Sequence, residues 1–180
     1  MPRIPVHTVA DAPEGSRDAL KALEAKFGKV LNIHGEMAHA PVVLQGYAGL
    51  QQAIADFGTF DAATREAIAL VVANVDECSY CQSAHTLSAK RAGFSEEQTV
   101  AIRSGRADFD PKLAALLTLV RESAAHLGHV PDSVWQAALD AGWSDAELTE
   151  ASVHIVVNLF TNHFNHLAQT DLDLPPAPGL

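Results

Sequence analysis

The feature that most constrains this chain is a single stretch, residues 66–85, reading EAIALVVANVDECSYCQSAH. It joins a strongly apolar run, which must be buried, to the chain's only two cysteines. Glu66, Cys78, Cys81 and His85 stand in the pattern E-x11-C-x2-C-x3-H. If Cys78 opens a helix, Cys81 and His85 follow three and seven residues on and share one stripe. Residues three apart on a helix have Cα atoms roughly 5 Å apart, within the range a disulfide tolerates, so the pair can open and close without refolding.

A free thiol is mostly protonated at neutral pH, whereas the unpaired N–H groups of a helix N-terminus stabilise a thiolate. His85, one turn from Cys81, is placed to take its proton, and Glu66 to orient that imidazole or receive the proton in turn. The pattern therefore proposes dithiol redox chemistry. Two other readings stand beside it: a zinc site using Cys78, Cys81, His85 and Glu66, poor in the sulfur and nitrogen that structural zinc favours, and a pair of buried inert thiols. Which cysteine attacks stays open on these grounds, because Cys78 has the better position on the helix dipole and Cys81 the nearer histidine.

On these four residues the stretch resembles the alkylhydroperoxidase D-like branch of the carboxymuconolactone decarboxylase superfamily. The resemblance implies an all-α helical bundle and a peroxidase-type dithiol site with Cys81 as the attacking and Cys78 as the resolving cysteine. It further implies a small hydroperoxide substrate, an external dithiol or thioredoxin-like electron donor, and a homo-oligomer, trimeric or hexameric. The sequence departs from the best-studied members at one position: Tyr80 stands where they carry a histidine before the second cysteine. A phenol of pKa about 10 is a poor base at neutral pH, so Tyr80 is expected to act by hydrogen bonding or as a weakened relay. A thiol-disulfide exchanger or redox sensor without peroxide turnover is the alternative enzyme-like reading, and a non-enzymatic helical metal- or ligand-binding protein the alternative outside it.

At 180 residues with 48% hydrophobic content, the chain is expected to be one domain with a sizeable core. A formal charge of -10 argues against nucleic acid and anionic membranes as partners. There is no signal-like apolar segment at the N-terminus and no run long enough to cross a bilayer, which sets a cytoplasmic location as the expectation. No G-x-G-x-x-G or P-loop motif is present, so no cofactor is expected and the cysteine pair would be the only redox centre.

Along the chain, residues 1–15 read as an extended arm, with Ser16 capping a first helix that Gly28 ends. Residues 32–40 read as a turn, and Pro41 starts a second helix closed by Gly58. Asp61 is the expected cap of the helix bearing Glu66. Ser95 with Gln98 and Ser144 with Glu147 form capping boxes, and Asp110-Pro111 opens another helix. The Pro-rich tail, residues 171–180, reads as a surface arm.

EAIALVVAN at residues 66–74 also matches EASVHIVVN at residues 150–158 with an offset of 84. This suggests two pseudo-equivalent halves, about residues 16–105 and 110–170, the second a degenerate repeat with Asn162, Asn165 and Gln169 in place of Cys78, Cys81 and His85. Glu66 then has a structural as well as a catalytic reading, since Glu150 matches it where no cysteines follow. His154, His163 and His166 read as a polar seam rather than a metal site, and Trp135 and Trp143 as core or interface residues.

Overall fold

A computed structural model describes residues 2–180, in which nine helices and no strand occur: α1 (Glu14–Phe27), α2 (Asn32–Met37), α3 (Pro41–Phe57), α4 (Ala62–Val75), α5 (Ser79–Arg91), α6 (Glu96–Arg103), α7 (Pro111–Ala125), α8 (Asp132–Asp140) and α9 (Asp145–Ala168). The all-α expectation holds. None of these helices is long and apolar enough to cross a membrane.

The apolar run dictates the centre. Residues 67–73 are all buried, so α4 is enclosed on every side, packing against α5, α6, α7 and α9. It divides two cores. Ile68, Leu70, Val71 and Val72 join α6, α7, α8 and the first half of α9. Ala73 and both cysteines instead join Leu20, Met37, Leu44 and Ile54 of α1–α3. The dithiol thus lies where the N-terminal helices close over the central one. Truncating Leu70, fully buried, to alanine would cost about 2–5 kcal/mol.

Asp61, Ser95, Asp110 and Ser144 cap helices as their sequence signatures require, with side-chain oxygens accepting from backbone N–H groups three residues on. Ser16 does not cap α1. That helix begins two residues earlier, behind Pro13, and the buried Ser16 hydroxyl donates to the Ala38 carbonyl, fastening α1 to the end of α2. The expected turn at residues 32–40 contains α2, a helix too short for apolar periodicity to reveal. Gly35 lets the N-terminal arm lie on it: a Cβ there would stand 2.6 Å from the His7 carbonyl oxygen.

The tail is anchored rather than free. Residues 171–180 are extended and run back over α5. The Asp173 carboxylate accepts from Tyr80 Oη (2.7 Å) and pairs with Lys29 (2.9 Å), Ala177 N–H donates to Ser83 Oγ (3.0 Å), and Arg103 donates to the Pro178 carbonyl.

Candidate active site

The site begins with how α4 stops. Glu77 takes a left-handed conformation (φ 54°), its N–H donates to the Asn74 carbonyl, and the Cys78 N–H reaches back to Ala73. These two bonds form a Schellman ending, and the residue that completes it, Cys78, is the N-cap of α5. One tight junction therefore ends the buried helix and delivers a thiol to a helix N-terminus. The Cys78 sulfur accepts the Cys81 backbone N–H at 3.3 Å, the place a serine or aspartate oxygen usually fills.

Both cysteines are buried and unlinked. The Asn165 amide, from α9, donates to Cys81 Sγ at 3.1 Å and more weakly toward Cys78 Sγ at 3.8 Å. The two thiols hydrogen-bond each other. That bond, with the Cys81 N–H and Asn165 as further donors, outweighs burial and lowers the Cys78 pKa to about 7. Donating that bond, together with burial and the neighbouring negative charge, raises Cys81 well above the ordinary thiol range. The two thiols titrate together, the first proton leaving near neutrality and the second held more tightly.

His85 and Glu66 meet across α4 and α5. The ring Nδ1–H donates to Glu66 Oε2 at 2.8 Å, which leaves Nε2 as the basic nitrogen. Cys81, His85 and Glu66 all border a cavity of about 210 Å³, whose remaining wall combines Phe27, Ile33, His34, Tyr47, Tyr80 and Ala84 with the polar Lys26, Gln51, Ser88 and Thr161. Cys78 is not part of that lining. Acidity thus favours one cysteine and access the other, and the hydrogen bond between them joins the two properties.

Tyr80 is not free to relay protons. Its hydroxyl is committed to Asp173, and burial together with that bond raises its pKa far above neutrality. Sequence reasoning missed Asn165, His34 and Tyr47. Asn165 had a signal, since the 84-residue offset sets it against Cys81, the residue it touches. His34 and Tyr47 reach the site only through the packing of α2 and α3.

The second-half histidines do not converge. His154 is buried and donates to Glu150 Oε1 at 3.2 Å, His166 donates to the Asp76 carbonyl at 2.8 Å, and His163 is exposed. Trp143 is buried, its Nε1–H donating to the Lys112 carbonyl, and Trp135 packs against the first core.

A family model described as the carboxymuconolactone decarboxylase family matches residues 41–122, which span α3 to α7 and include all four motif residues. Comparison with curated proteins finds no match. Among solved structures, a peroxidase-related protein with an alkylhydroperoxidase AhpD core from Ralstonia eutropha JMP134 is similar at TM-score 0.85 and 19% identity, covering 96% of this chain and 92% of that one. A complex of the debrominase Bmp8, in a cysteine-to-alanine variant, with 2,3,4-tribromopyrrole is similar at TM-score 0.81 and 18% identity, covering 95% and 91%. A peroxidase-related protein from Silicibacter sp. TM1040 is similar at TM-score 0.78 and 17% identity, covering 97% and 93%. At such identities these likenesses speak for the fold and leave the chemistry to the site itself.

Proposed function

Because the chain is an alkylhydroperoxidase D-like protein of the carboxymuconolactone decarboxylase superfamily, we propose that it is a thiol peroxidase that reduces a small organic hydroperoxide with the Cys78–Cys81 pair. The observation that carries this reading is the placement of Cys81 on the cavity wall beside the hydrogen-bonded His85 and Glu66, one helical turn from Cys78. The Cys78 thiol, lowered to about 7, supplies a thiolate to the pair near neutrality.

Near neutrality Cys78, held as a thiolate by the α5 N-terminus, accepts the Cys81 proton as Cys81 attacks. The terminal peroxide oxygen bonds to Cys81 Sγ, the O–O bond breaks, and the thiolate is oxidised by two electrons to a sulfenic acid while the hydroperoxide becomes an alcohol. Cys78 then attacks the sulfenic sulfur, water leaves, and a disulfide closes across one helical turn. The His85–Glu66 pair takes up the proton that the dithiol loses on activation. An external dithiol or thioredoxin-like donor returns the enzyme to its reduced form by thiol exchange.

A self-associated protein, trimeric or hexameric, belongs to the same reading. Val42, Phe57 and Leu127 are 79%, 83% and 91% exposed, more than large apolar side chains favour in water.

The test is rapid oxidation by an organic hydroperoxide of wild type, Cys78→Ser and Cys81→Ser, with a sulfenic-acid trap present. The reading expects trapping on Cys81 in Cys78→Ser and none in Cys81→Ser. Trapping on Cys78 alone would reverse the two roles, and rapid reaction with disulfides but not with hydroperoxides would make the protein a thiol-disulfide exchanger. The aromatic cavity wall favours one other electrophile: a halogenated ring, as in the Bmp8 complex. The dithiol would supply two electrons there, halide leaving and the ring gaining a proton. Release of bromide from a brominated pyrrole by the reduced protein checks it.

A further inference from the structure

Among the groups that line the cavity and have no part in the chemistry above, two aromatic ones adjoin. Tyr47, on α3, is 9% exposed, and its hydroxyl hydrogen-bonds to no described residue. His34, on α2, is 3% exposed, and its Nδ1 is buried without a partner. Their rings stack with centroids 5.6 Å apart at 30°. A buried polar atom left unpaired, as His34 Nδ1 is, costs about 1–3 kcal/mol, and beside it the Tyr47 phenol stands in the wall of the cavity that Cys81 borders.

Resting on the peroxidase reading, we propose that Tyr47 is the acid that gives its proton to the departing oxygen of the hydroperoxide, its ring held in place by the stacked His34. Cys81 Sγ bonds to the terminal oxygen, which keeps its hydrogen as the sulfenic acid; the O–O electron pair leaves with the inner oxygen; and that oxygen takes the Tyr47 proton to become an alcohol. A proton from solvent refills the tyrosinate before the next turnover.

The acidities suit the transfer. Burial, and then the nearby Cys81 and Glu66 charges, raise the Tyr47 pKa to about 12. That phenol stays protonated at working pH yet remains a stronger acid than the product alcohol, so its proton passes favourably to the departing alkoxide. His34 brings no competing positive charge, since burial lowers its pKa to about 4.

The experiment compares second-order oxidation rates of reduced wild type and Tyr47→Phe with two oxidants, tert-butyl hydroperoxide and a peroxyacid. Both deliver an oxygen atom to sulfur, but the peroxyacid expels a carboxylate that needs no proton. Tyr47→Phe is expected to lose about 100-fold toward the hydroperoxide, at the low end of what a positioned acid supplies, and less than about 3-fold toward the peroxyacid. Equal losses toward both oxidants would assign Tyr47 to packing and overturn the proposal, as would an undiminished rate with the hydroperoxide. A wild type that ignores the hydroperoxide while the peroxyacid oxidises it would overturn the peroxidase reading itself.

Discussion

Glu66 accepts the His85 ring N–H across two helices at the edge of the dithiol cavity. Glu150, its counterpart under the 84-residue offset, binds His154 within its own helix and accepts the Thr59 and Phe60 backbone N–H groups and the Thr59 hydroxyl. The two carboxylates have the same sequence context and different neighbours. After Glu66 the helix ends at Val75 and restarts at Ser79, which creates an N-terminus for Cys78. After Glu150, α9 runs unbroken to Ala168, so Asn162 and Asn165 meet no free helix end. Their amides point back at the first region instead, Asn162 to Asp76 and Asn165 to Cys81. The contrast teaches that a break of three residues in a helix, more than the glutamate, separates the region that holds the dithiol at a helix end from the one packed behind it.

Exchanging the decisive residues should separate the regions most sharply. Cys81→Ser is expected to slow hydroperoxide consumption by at least about 1000-fold, whereas Glu150→Gln, assayed where it is folded, should stay within about 2-fold. A steady-state assay with an external dithiol checks both.

Buried imidazoles draw the next contrast, since His154 has Glu150 to offset its burial and His34 has no carboxylate partner. With its pKa lowered from 6.5 to about 4, His34 binds a proton more readily in the unfolded chain. Stability is therefore expected to fall by up to about 3 kcal/mol as pH drops from 6.5 toward 4. His34→Phe should flatten that slope in urea melts across the window.

Glu66→Gln should cost about 10- to 100-fold in thiol oxidation near neutral pH with little loss of stability, and Glu150→Gln the reverse. Burial alone would raise the Glu150 pKa, but the hydrogen bonds from Thr59, Phe60 and His154 outweigh it and hold the pKa at about 2. Its contribution, about 2–3 kcal/mol, is complete above pH 4.5 and lost as pH falls toward 2. Equilibrium unfolding of both variants at pH 7 reads the difference.

Much of this arrangement was legible in the residues. The central helix followed from its apolar run, and the start of the site helix at Cys78 from the cysteine spacing. Four N-caps followed from side chains that compete for backbone N–H groups. What stayed hidden depends on long-range packing. Ser16 looks like a cap by type, but its hydroxyl serves a carbonyl 22 residues away. The tail has a composition that excludes helix, and nothing local says that Asp173 will meet Tyr80 and Lys29. Tyr47 reads as one more member of an apolar stripe, because helical periodicity records a ring's burial and not where its hydroxyl ends.

The smallest expected effect tests the bridge between the regions. Asn165→Leu removes an amide donor from both sulfurs and should raise the pH at which the dithiol gives up its first proton by about one unit, measured from the pH dependence of thiolate absorbance. An unmoved midpoint would confine Asn165 to packing.

The central claim, that the first region carries a two-electron dithiol peroxidase, is tested most directly by titrating fully reduced wild type with an organic hydroperoxide while counting thiols and alcohol product. The account predicts one alcohol formed and two thiols lost per chain, with a Cys78–Cys81 disulfide in the peptide map and a rate that climbs with pH through about 7. Thiols that survive an excess of hydroperoxide, with no alcohol formed, would contradict it.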